Sequence, residues 1–479
     1  MIDLLRIEVG GLLAGFILLI VGCSVGPDYQ APKSDVPQAW IEGANVEIDA
    51  QPAELARWWG EFNDPLLDSL IDRAAKSNLD IALAEARVRE ARALYGVTAA
   101  GAWPTVDVSE SYRRIRTSEN AFAAGTVAPQ GGGNLEQNLF RTGFDSSWEI
   151  DFFGATRRRV EAAQAGVDAA VEDRRAVLVT LLGDVARSYI DLRGLQRQLA
   201  VARANLSAQQ ETARLTKIRF DAGLANDLDA AQAEGLAQQT AAQIPALESA
   251  LKQTAYRLDL LLGRQPGALA NELTLDAPIP ALPPTAHVGL PAELLRRRPD
   301  VRRAERQLAA ATAEVGAATA DLYPKFSLTG AFGLQSVSAS DWFTGRSRFW
   351  SIGPTISWPI FDAGKIRANI EVRNAQQEQA LRNYEKSVLT ALGDVESALV
   401  NYAKEQSRYR SLLEATAANR RAFELANHLY RQGLVAFLNV LDAERTLYTT
   451  ENDLAQSEAN MASNLVVLYK ALGGGWDTR

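Results

Sequence analysis

An internal duplication limits what this chain can fold into more than any other feature of its sequence. A shift of 210 residues aligns Gly183-Asp184-Val185 with Gly393-Asp394-Val395, and it also aligns Gly223-Leu224 with Gly433-Leu434. A fixed offset of this kind indicates that one structural unit is repeated. Whatever the first copy builds, the second copy should therefore build as well.

The offset becomes 220 further upstream, where it pairs Trp103-Pro104 with Tyr323-Pro324. The ten extra residues fall in a Gly- and Ala-rich stretch near 121–133, which we interpret as a loop. The join between the copies, 265–299, holds seven of the 18 prolines, and proline cannot continue a helix. The predicted segments are an export signal (1–22), an amino-terminal arm (23–57), a first repeat (58–264), a connector (265–299), a second repeat (300–473) and a carboxyl-terminal tail (474–479).

Each copy contains a long proline-free stretch with helical periodicity. Over 155–221 apolar residues recur at spacings of three, four or seven, and a similar stripe follows over 365–432. This spacing is typical of coiled-coil helices, and about 67 residues at 1.5 Å each predict a rod of roughly 100 Å. Gly223 and Gly433 mark the reversals, because glycine tolerates a positive φ. The helices that return from these turns are predicted over 228–262 and 436–472.

Two segments with a period of two precede each long helix, and we predict strand hairpins over 104–150 and 325–360. In the second hairpin Trp350, Ile352 and Ile356 alternate with small residues. Strands of about ten residues, with one apolar face and tryptophans near their ends, are typical of a membrane barrel. A soluble hairpin packed on the helices gives the same alternation, so that alternative stays open.

Four strands per chain cannot close a barrel, because an open edge in lipid leaves backbone groups unpaired. A barrel in the outer membrane needs at least about eight strands. Several chains must then share one barrel, and three chains would supply twelve strands. The long helices would continue the same wall as a hollow α-helical tunnel. The predicted fold class is mainly α with a membrane β-barrel portion, and each chain contributes two long helical hairpins and four strands.

The amino terminus reads as an export signal that ends at the single cysteine. The uncharged stretch Val9–Val21 is too short to span a bilayer. It leads into Gly22-Cys23, with Ile20 three residues before the cysteine, and this pattern resembles a bacterial lipobox. Acyl chains on Cys23 would anchor the mature protein durably, whereas the alternative is an uncleaved anchor with a buried cysteine. The residue after the cysteine is Ser24, and in this position the chain resembles lipoproteins that are sorted to the outer membrane.

The composition argues against several other classes of protein. A net charge of −8 disfavours a nucleic-acid partner. The two histidines, His287 in the connector and His428 just before the second turn, have no cysteine or histidine near them in the sequence. No nucleophile motif such as GxSxG is present. We therefore expect no metal, no cofactor and no enzymatic activity.

Four stretches carry a resemblance to a known family: WWGEFNDPLLDSLI (58–71), RRPDVRRAERQLAAATAEVGAATADLYPKFSLTG (297–330), WPIFDAGKIRANIE (358–371) and RQGLVAFLNVLDAERTLY (431–448). With them the chain resembles the TolC-like outer-membrane efflux proteins, in particular the lipoprotein branch that serves resistance-nodulation-division (RND) pumps. The resemblance implies a homotrimer with a twelve-strand barrel, a periplasmic tunnel and an equatorial collar made by the arm, the connector and the tail. It implies small-molecule efflux as the function. The implied partners are a periplasmic adaptor protein and an inner-membrane RND transporter.

The resemblance also implies a gate just after the second turn, where acidic residues of family members form rings that constrict the pore. The matching positions are Asn439 and Asp442, which lie three apart and so on one helix face. The asparagine departs from the two-acid pattern, and a solvated carboxylate is the alternative role for Asp442. In the first copy Asp227, Asp229 and Gln232 are weaker pore candidates.

The helical turns are also candidate docking sites for the adaptor, because they expose apolar residues. Packing among the helix tips is the alternative role for the same residues. A type I protein-secretion channel and a non-conducting trimeric coiled-coil surface protein are the alternative functions. The docking candidates are Gly223 and Leu224 at the first turn and Gly433, Leu434 and Val435 at the second.

Overall fold

A computed structural model of the chain describes residues 24–33, 36–42, 48–49, 55–116, 118, 136–275, 277–283 and 286–476. The predicted export signal, Cys23 and the loop near 121–133 lie outside the described residues, so the lipobox stays a prediction. The chain divides into two compact units. The first unit takes in the described residues within 1–32, 89–168 and 305–382, and the second takes in those within 33–88, 169–304 and 383–479.

Helices make up most of the described chain. The α-helices are α1 (Pro65–Ser77), α2 (Leu79–Ala100), α3 (Ala155–Asp221), α4 (Asp227–Leu261), α5 (Ala270–Leu273), α6 (Pro291–Arg297), α7 (Pro299–Ala320), α8 (Lys365–Arg431) and α9 (Phe437–Ala471). Short 3-10 helices lie at Leu55–Phe62 and Gly345–Ser347. The strands are β1 (Ile48–Asp49), β2 (Thr105–Arg116), β3 (Glu136–Ile150), β4 (Ala286–His287), β5 (Lys325–Ser336) and β6 (Arg348–Ser357). Among these helices none combines the length and the apolar character needed to cross a membrane.

The duplication holds to the residue for four pairs of elements in the folded chain. Helices α3 and α8 each have 67 residues and begin 210 positions apart, as do the 35-residue helices α4 and α9. Helices α2 and α7 have 22 residues each and begin 220 apart, as do the 12-residue strands β2 and β5. The bounds of α3 are those that the sequence predicts, and α8 ends one residue before the predicted 432.

The first unit contains a four-stranded antiparallel sheet in the order β2-β3-β5-β6. Its register aligns one apolar residue from every strand in a single row, which runs Val108, Phe144, Phe332 and Trp350. All four side chains of this row are exposed. The strands therefore present a continuous apolar row that the rest of the described chain does not cover. The predicted second hairpin extended to 360, whereas β6 ends at Ser357, so Trp358 lies beyond the strand.

The opposite face of the sheet is polar. Ser109 Oγ donates a hydrogen bond to Asp145 at 2.6 Å, and the Arg141 guanidinium pairs with the same carboxylate at 2.6 Å. The Arg141 guanidinium also lies 5.0 Å from the centre of the Phe349 ring. The alternation read from the sequence thus separates an apolar face from a charged and hydrogen-bonded face.

The second unit has a large apolar core, and the first stretch of the family resemblance supplies part of it. Trp58 is fully buried and its ring lies 5.5 Å from the ring of Tyr469, centre to centre. Asp64 caps the start of α1, and its other carboxylate oxygen accepts a hydrogen bond from the Tyr189 hydroxyl at 2.7 Å. The WWGEFNDP segment therefore joins both repeats inside this core.

The arm, the connector and the tail are tied together within the second unit. The Trp40 indole N–H donates to Gly289 O at 2.9 Å, and β1 of the arm pairs in parallel with β4 of the connector. The Trp476 indole N–H donates to Arg297 O at 3.1 Å. The guanidinium of Arg175 lies 4.4 Å from the centre of the Trp476 ring. These are the three segments from which the resemblance builds a collar.

Candidate functional site

Each long helical hairpin reverses at a glycine with a positive φ, 73° at Gly223 and 76° at Gly433. Among the described residues nothing lies within 4 Å of the place where a Cβ would stand, so the backbone conformation and not the space requires glycine. The N–H of the next residue, Leu224 or Leu434, donates to the carbonyl five residues earlier at 2.7 Å and 3.0 Å, which closes the helix end. Both leucines are exposed and Val435 is half-buried.

The two returning helices begin differently. Asn226 caps α4, because its Oδ1 accepts a hydrogen bond from the Asp229 N–H at 2.7 Å. Asp227 is exposed and Asp229 is half-buried in the first turn, where their charge complements the positive end of the helix dipole. Ala436 precedes α9 without a side-chain cap, and the first turn of α9 has no acid. Asp227 and Asp229 therefore stabilise a helix start whether or not they face a pore.

Asn439 and Asp442 lie together on the exposed side of α9. Val440 and Leu441, between them in sequence, are buried on the other side. Gln232, the first-repeat equivalent of Asp442, is half-buried. The three-residue spacing thus places both gate candidates on one accessible face, and their contribution to a constriction stays a prediction.

A small apolar cluster brings the two turns together. This tip cluster consists of Ala233, Leu236, Phe437, Val440 and Leu441. The Tyr430 ring packs on Phe437 of this cluster with 5.3 Å between ring centres, and the Arg219 guanidinium lies 4.7 Å from the centre of the Tyr430 ring. Burial raises the pKa of the Tyr430 hydroxyl, and the charge of Arg219 opposes that shift. Both long helices and both returning helices therefore meet at the tips.

One buried carboxyl near the tips escaped the sequence reasoning. The Glu444 side chain is 4% exposed, and neither of its oxygens has a hydrogen-bond partner among the described residues. Burial raises the pKa of this carboxyl to about 7. Its first-repeat equivalent, Glu234, is exposed. A signal was present, because Glu444 stands at helical spacing between the buried residues Leu441 and Leu447.

A cavity of about 650 Å³ lies between the ends of α3 and α8, next to the tip cluster. Its walls include the apolar side chains of Leu215, Ile218 and Phe423. Arg219 and Arg431 also line it. The tips therefore combine exposed leucines with an apolar recess that carries positive charge.

The RRPD motif (297–300) connects the start of the second repeat to the end of the same repeat. Arg298 is buried, and its guanidinium pairs with Asp300 at 2.6 Å and with Asp394 at 2.9 Å. It also donates to Ala471 O at 3.2 Å. Burial opposes the charge of Arg298, but the two carboxylates outweigh it and raise the pKa of the guanidinium. Asn78, at the equivalent place in the first repeat, donates to Leu261 O at 2.9 Å.

Two repeats, each with a strand hairpin and a long helical hairpin that turns at a glycine, define the class of outer-membrane efflux channels. The sequence model of the outer membrane efflux protein family matches residues 70–264 and 290–474, one segment in each repeat. The chain belongs to this family. Its relatives are channel proteins of the outer membrane and not enzymes. The resemblance read from the four sequence stretches is confirmed.

Relatives cover the chain almost from end to end. It is 34% identical to nodulation protein T of Rhizobium leguminosarum bv. trifolii over 471 residues, which covers 96% of each chain. It is also 34% identical to the solvent efflux pump outer membrane protein SrpC of Pseudomonas putida, covering 96% of this chain and 97% of SrpC. The solved structure of the outer-membrane channel OprN has a TM-score of 0.89 and 37% identity, covering 95% of this chain and 100% of OprN. The mainly helical fold with four antiparallel strands is thus that of an outer-membrane channel.

Proposed function

We propose that the chain is the outer-membrane conduit of a tripartite RND-type efflux pump and that three copies share one twelve-strand barrel. The apolar row Val108, Phe144, Phe332 and Trp350 carries the proposal. An exposed apolar face behind a charged face suits strands with lipid on one side and water on the other. In the described sheet β2 and β6 are edge strands, and lipid does not tolerate unpaired edges. Neighbouring copies would pair with them.

Small molecules would pass passively through the helical tunnel, and the inner-membrane transporter would supply the energy. The gate would lie at the tips, where three copies of Asp442 around the pore axis would form a cation-attracting constriction. Asn439, on the same exposed face, would add a polar but uncharged ring. Asp227 and Asp229 would contribute acidic charge near the same end, since the tip cluster joins both turns.

The periplasmic adaptor would dock at the tips. The exposed leucines Leu224 and Leu434, the half-buried Val435 and the apolar recess beside them suit the apolar end of a partner's helical hairpin. Gly223 and Gly433 would fix the turns that present these residues. Acyl chains on Cys23 would anchor the chain in the outer membrane.

The cargo would be drugs or other toxic small molecules. A relative over nearly the whole length is named for solvent efflux, which favours small organic molecules over secreted proteins. The conduit itself would select little, because selection belongs to the transporter that loads it. Deletion of the gene followed by a broad susceptibility panel would identify the compounds.

Reconstitution tests the conduit directly. Purified protein in planar bilayers should give discrete, ohmic conductance steps, because a water-filled tunnel conducts ions without a substrate. A preparation of the right mass for a trimer that stays electrically silent would contradict the proposal and favour a structural spacer.

Strand variants test the lipid-facing row. Phe332→Arg should lower the amount of protein assembled in the outer membrane, because a cation at the lipid-facing midplane costs about 2–4 kcal/mol. Ala331→Arg is the matched control, since Ala331 is adjacent in the strand and pairs with Asp145 on the polar side. Equal assembly of the two variants would refute the assignment of the faces.

A further inference from the structure

The recess between the ends of α3 and α8 has the size and the apolar lining of a site for a small molecule. Its volume of about 650 Å³ falls inside the range of about 300–1,000 Å³ that is usual for ligand sites. Leu215 and Ile218 of α3 and Phe423 of α8 line it. The returning helix α9 adds Phe437 and Val440, which are both buried. An apolar chamber of this size can enclose most of an organic molecule.

Two arginines line this recess without a carboxylate partner. Arg219 is half-buried in the last turn of α3, and Arg431 is exposed at the end of α8. Among the described residues neither guanidinium has a carboxylate oxygen within 4 Å. Glu211 is the one acid among the described lining residues, and Arg214 already binds its two oxygens at 2.7 Å and 2.8 Å. The lining of the recess therefore carries an excess of positive charge.

Two buried donors on the same lining lack an acceptor. The Tyr430 hydroxyl and Arg219 Nε are both buried, and neither has a hydrogen-bond partner among the described residues. The two side chains are neighbours, because the Arg219 guanidinium lies 4.7 Å from the centre of the Tyr430 ring. A buried donor without an acceptor costs free energy. An anionic head group in the recess would supply acceptors for an O–H and an N–H donor together.

The duplication separates this arrangement from the ordinary role of an arginine at a helix end. A cation in the last turn complements the negative end of the helix dipole. The first-repeat equivalent of Arg431 is Asp221, which pairs with Lys217 at 3.1 Å, and the second-repeat equivalent of Arg219 is Leu429. The two repeats thus place their arginines at different positions, yet both arginines line one recess. The helix dipole explains each arginine by itself but not why both lie at one apolar chamber.

We propose that the recess binds an amphipathic organic anion, a molecule with one carboxylate, sulfonate or phosphate head group on an apolar body. The head group would accept hydrogen bonds from Arg219, Arg431 and the Tyr430 hydroxyl. The apolar body would lie against Phe423 and Phe437. Such a ligand would bridge the long helices of both repeats. The inference goes beyond the proposed function, because this binding needs neither a trimer nor a partner protein.

Two fluorescent probes that differ in one group test the site. Anilinonaphthalene sulfonate and phenylnaphthylamine share an aromatic body, and the sulfonate is present only in the first. The full-length protein in a nonionic detergent, read against detergent alone, should bind the sulfonate probe saturably at one site per chain. It should bind the neutral probe at least about tenfold more weakly, and added salt should weaken only the binding of the sulfonate probe. Equal affinities for the two probes would overturn the proposal.

Charge-removing variants locate the head group. Arg219→Gln and Arg431→Gln should each weaken the binding of the sulfonate probe about tenfold, because each removes a hydrogen bond between charged groups, and the affinity for the neutral probe should stay the same. Arg421→Gln is the matched control, since Arg421 is an exposed arginine of α8, two residues from Phe423, that does not line the recess. An unchanged affinity in the double variant of Arg219 and Arg431, or an equal loss with Arg421→Gln, would overturn the proposal.

A variant that fills the recess provides an independent readout and keeps both arginines. Leu215→Trp should abolish the binding of both probes, because the larger side chain would occupy the chamber. Leu413→Trp is the matched control, since Leu413 is an exposed leucine of α8 outside the recess lining, and it should bind both probes as the wild type does. The sulfonate probe should also raise the melting temperature of the wild type and of Leu413→Trp, but not that of Leu215→Trp. Binding of the sulfonate probe by Leu215→Trp with wild-type affinity would contradict the proposal.

Discussion

The buried carboxyl of Glu444 should make the stability of the protein depend on pH. Burial raises its pKa from 4.5 to about 7 in the folded chain. Between these two values the unfolded chain is ionised while the folded chain keeps the proton, so the free energy of unfolding falls as the pH rises. The difference of about 2.5 in pKa corresponds to about 3 kcal/mol, lost progressively from pH 4.5 to pH 7.

The variant Glu444→Gln removes this titration while it keeps the shape of the side chain. Its stability relative to the wild type should increase by about 3 kcal/mol between pH 4.5 and pH 8. An unfolding entropy of about 2.1 cal/mol/K per residue converts this to a relative gain of about 3 °C in the melting temperature. Melting curves from far-ultraviolet circular dichroism in detergent, recorded across this pH range, measure the gain.

Glu234→Gln is the matched control for this experiment, because Glu234 is the exposed first-repeat equivalent. Its melting temperature should follow that of the wild type at every pH. If the difference between Glu444→Gln and the wild type stays constant from pH 4.5 to pH 8, then Glu444 does not carry a proton in the folded protein, and the argument from its burial is wrong.

Three further predictions concern the gate, the RRPD motif and the turns. Asp442→Ala should raise the single-channel conductance in planar bilayers, because it would remove the proposed ring of charge; unchanged conductance would remove Asp442 from the gate. Arg298→Met should lower the free energy of unfolding by about 2 kcal/mol, measured by denaturant titration, because two partly solvated carboxylates lose their partner. Gly433→Ala should destabilise by about 1–2 kcal/mol since its φ is positive, whereas Gly235→Ala, inside α4 with open space at its Cβ, should stabilise by about 0.5–1 kcal/mol. Melting temperatures of the two glycine variants that shift in the same direction would contradict the reasoning.

The sequence predicts the elements well where a repeated pattern acts over many residues. The bounds of α3 follow from an uninterrupted apolar stripe without proline, and the offset of 210 then locates α8. The end of β6 was misplaced, because Trp358 continues the alternation although the backbone leaves the strand at Ser357. A sequence period of two indicates which face of a strand each side chain is on. The hydrogen-bonded pairing between strands determines where a strand ends, and the period does not show it.

The contacts of the site were less accessible from the sequence. Arg298 and Asp394 lie 96 residues apart, so no local spacing indicates that they pair. The tip cluster was not predicted either, since it needs residues from both repeats. Glu444 was overlooked because a charged residue in a stripe is ordinarily assigned to the solvent. These features depend on how helices pack, and periodicity alone does not specify that.

The equal lengths of the two helical hairpins restrict how proteins of this architecture can change in size. Because α3 and α8 have 67 residues each, the turns at Gly223 and Gly433 stand equally far along their helices. One heptad inserted into each arm of a single hairpin would move its turn about 10 Å beyond the other and separate Phe437 from Ala233. Lengthening or shortening must therefore occur in both halves of the gene together, and paired heptad changes are the steps by which proteins of this architecture could change in length.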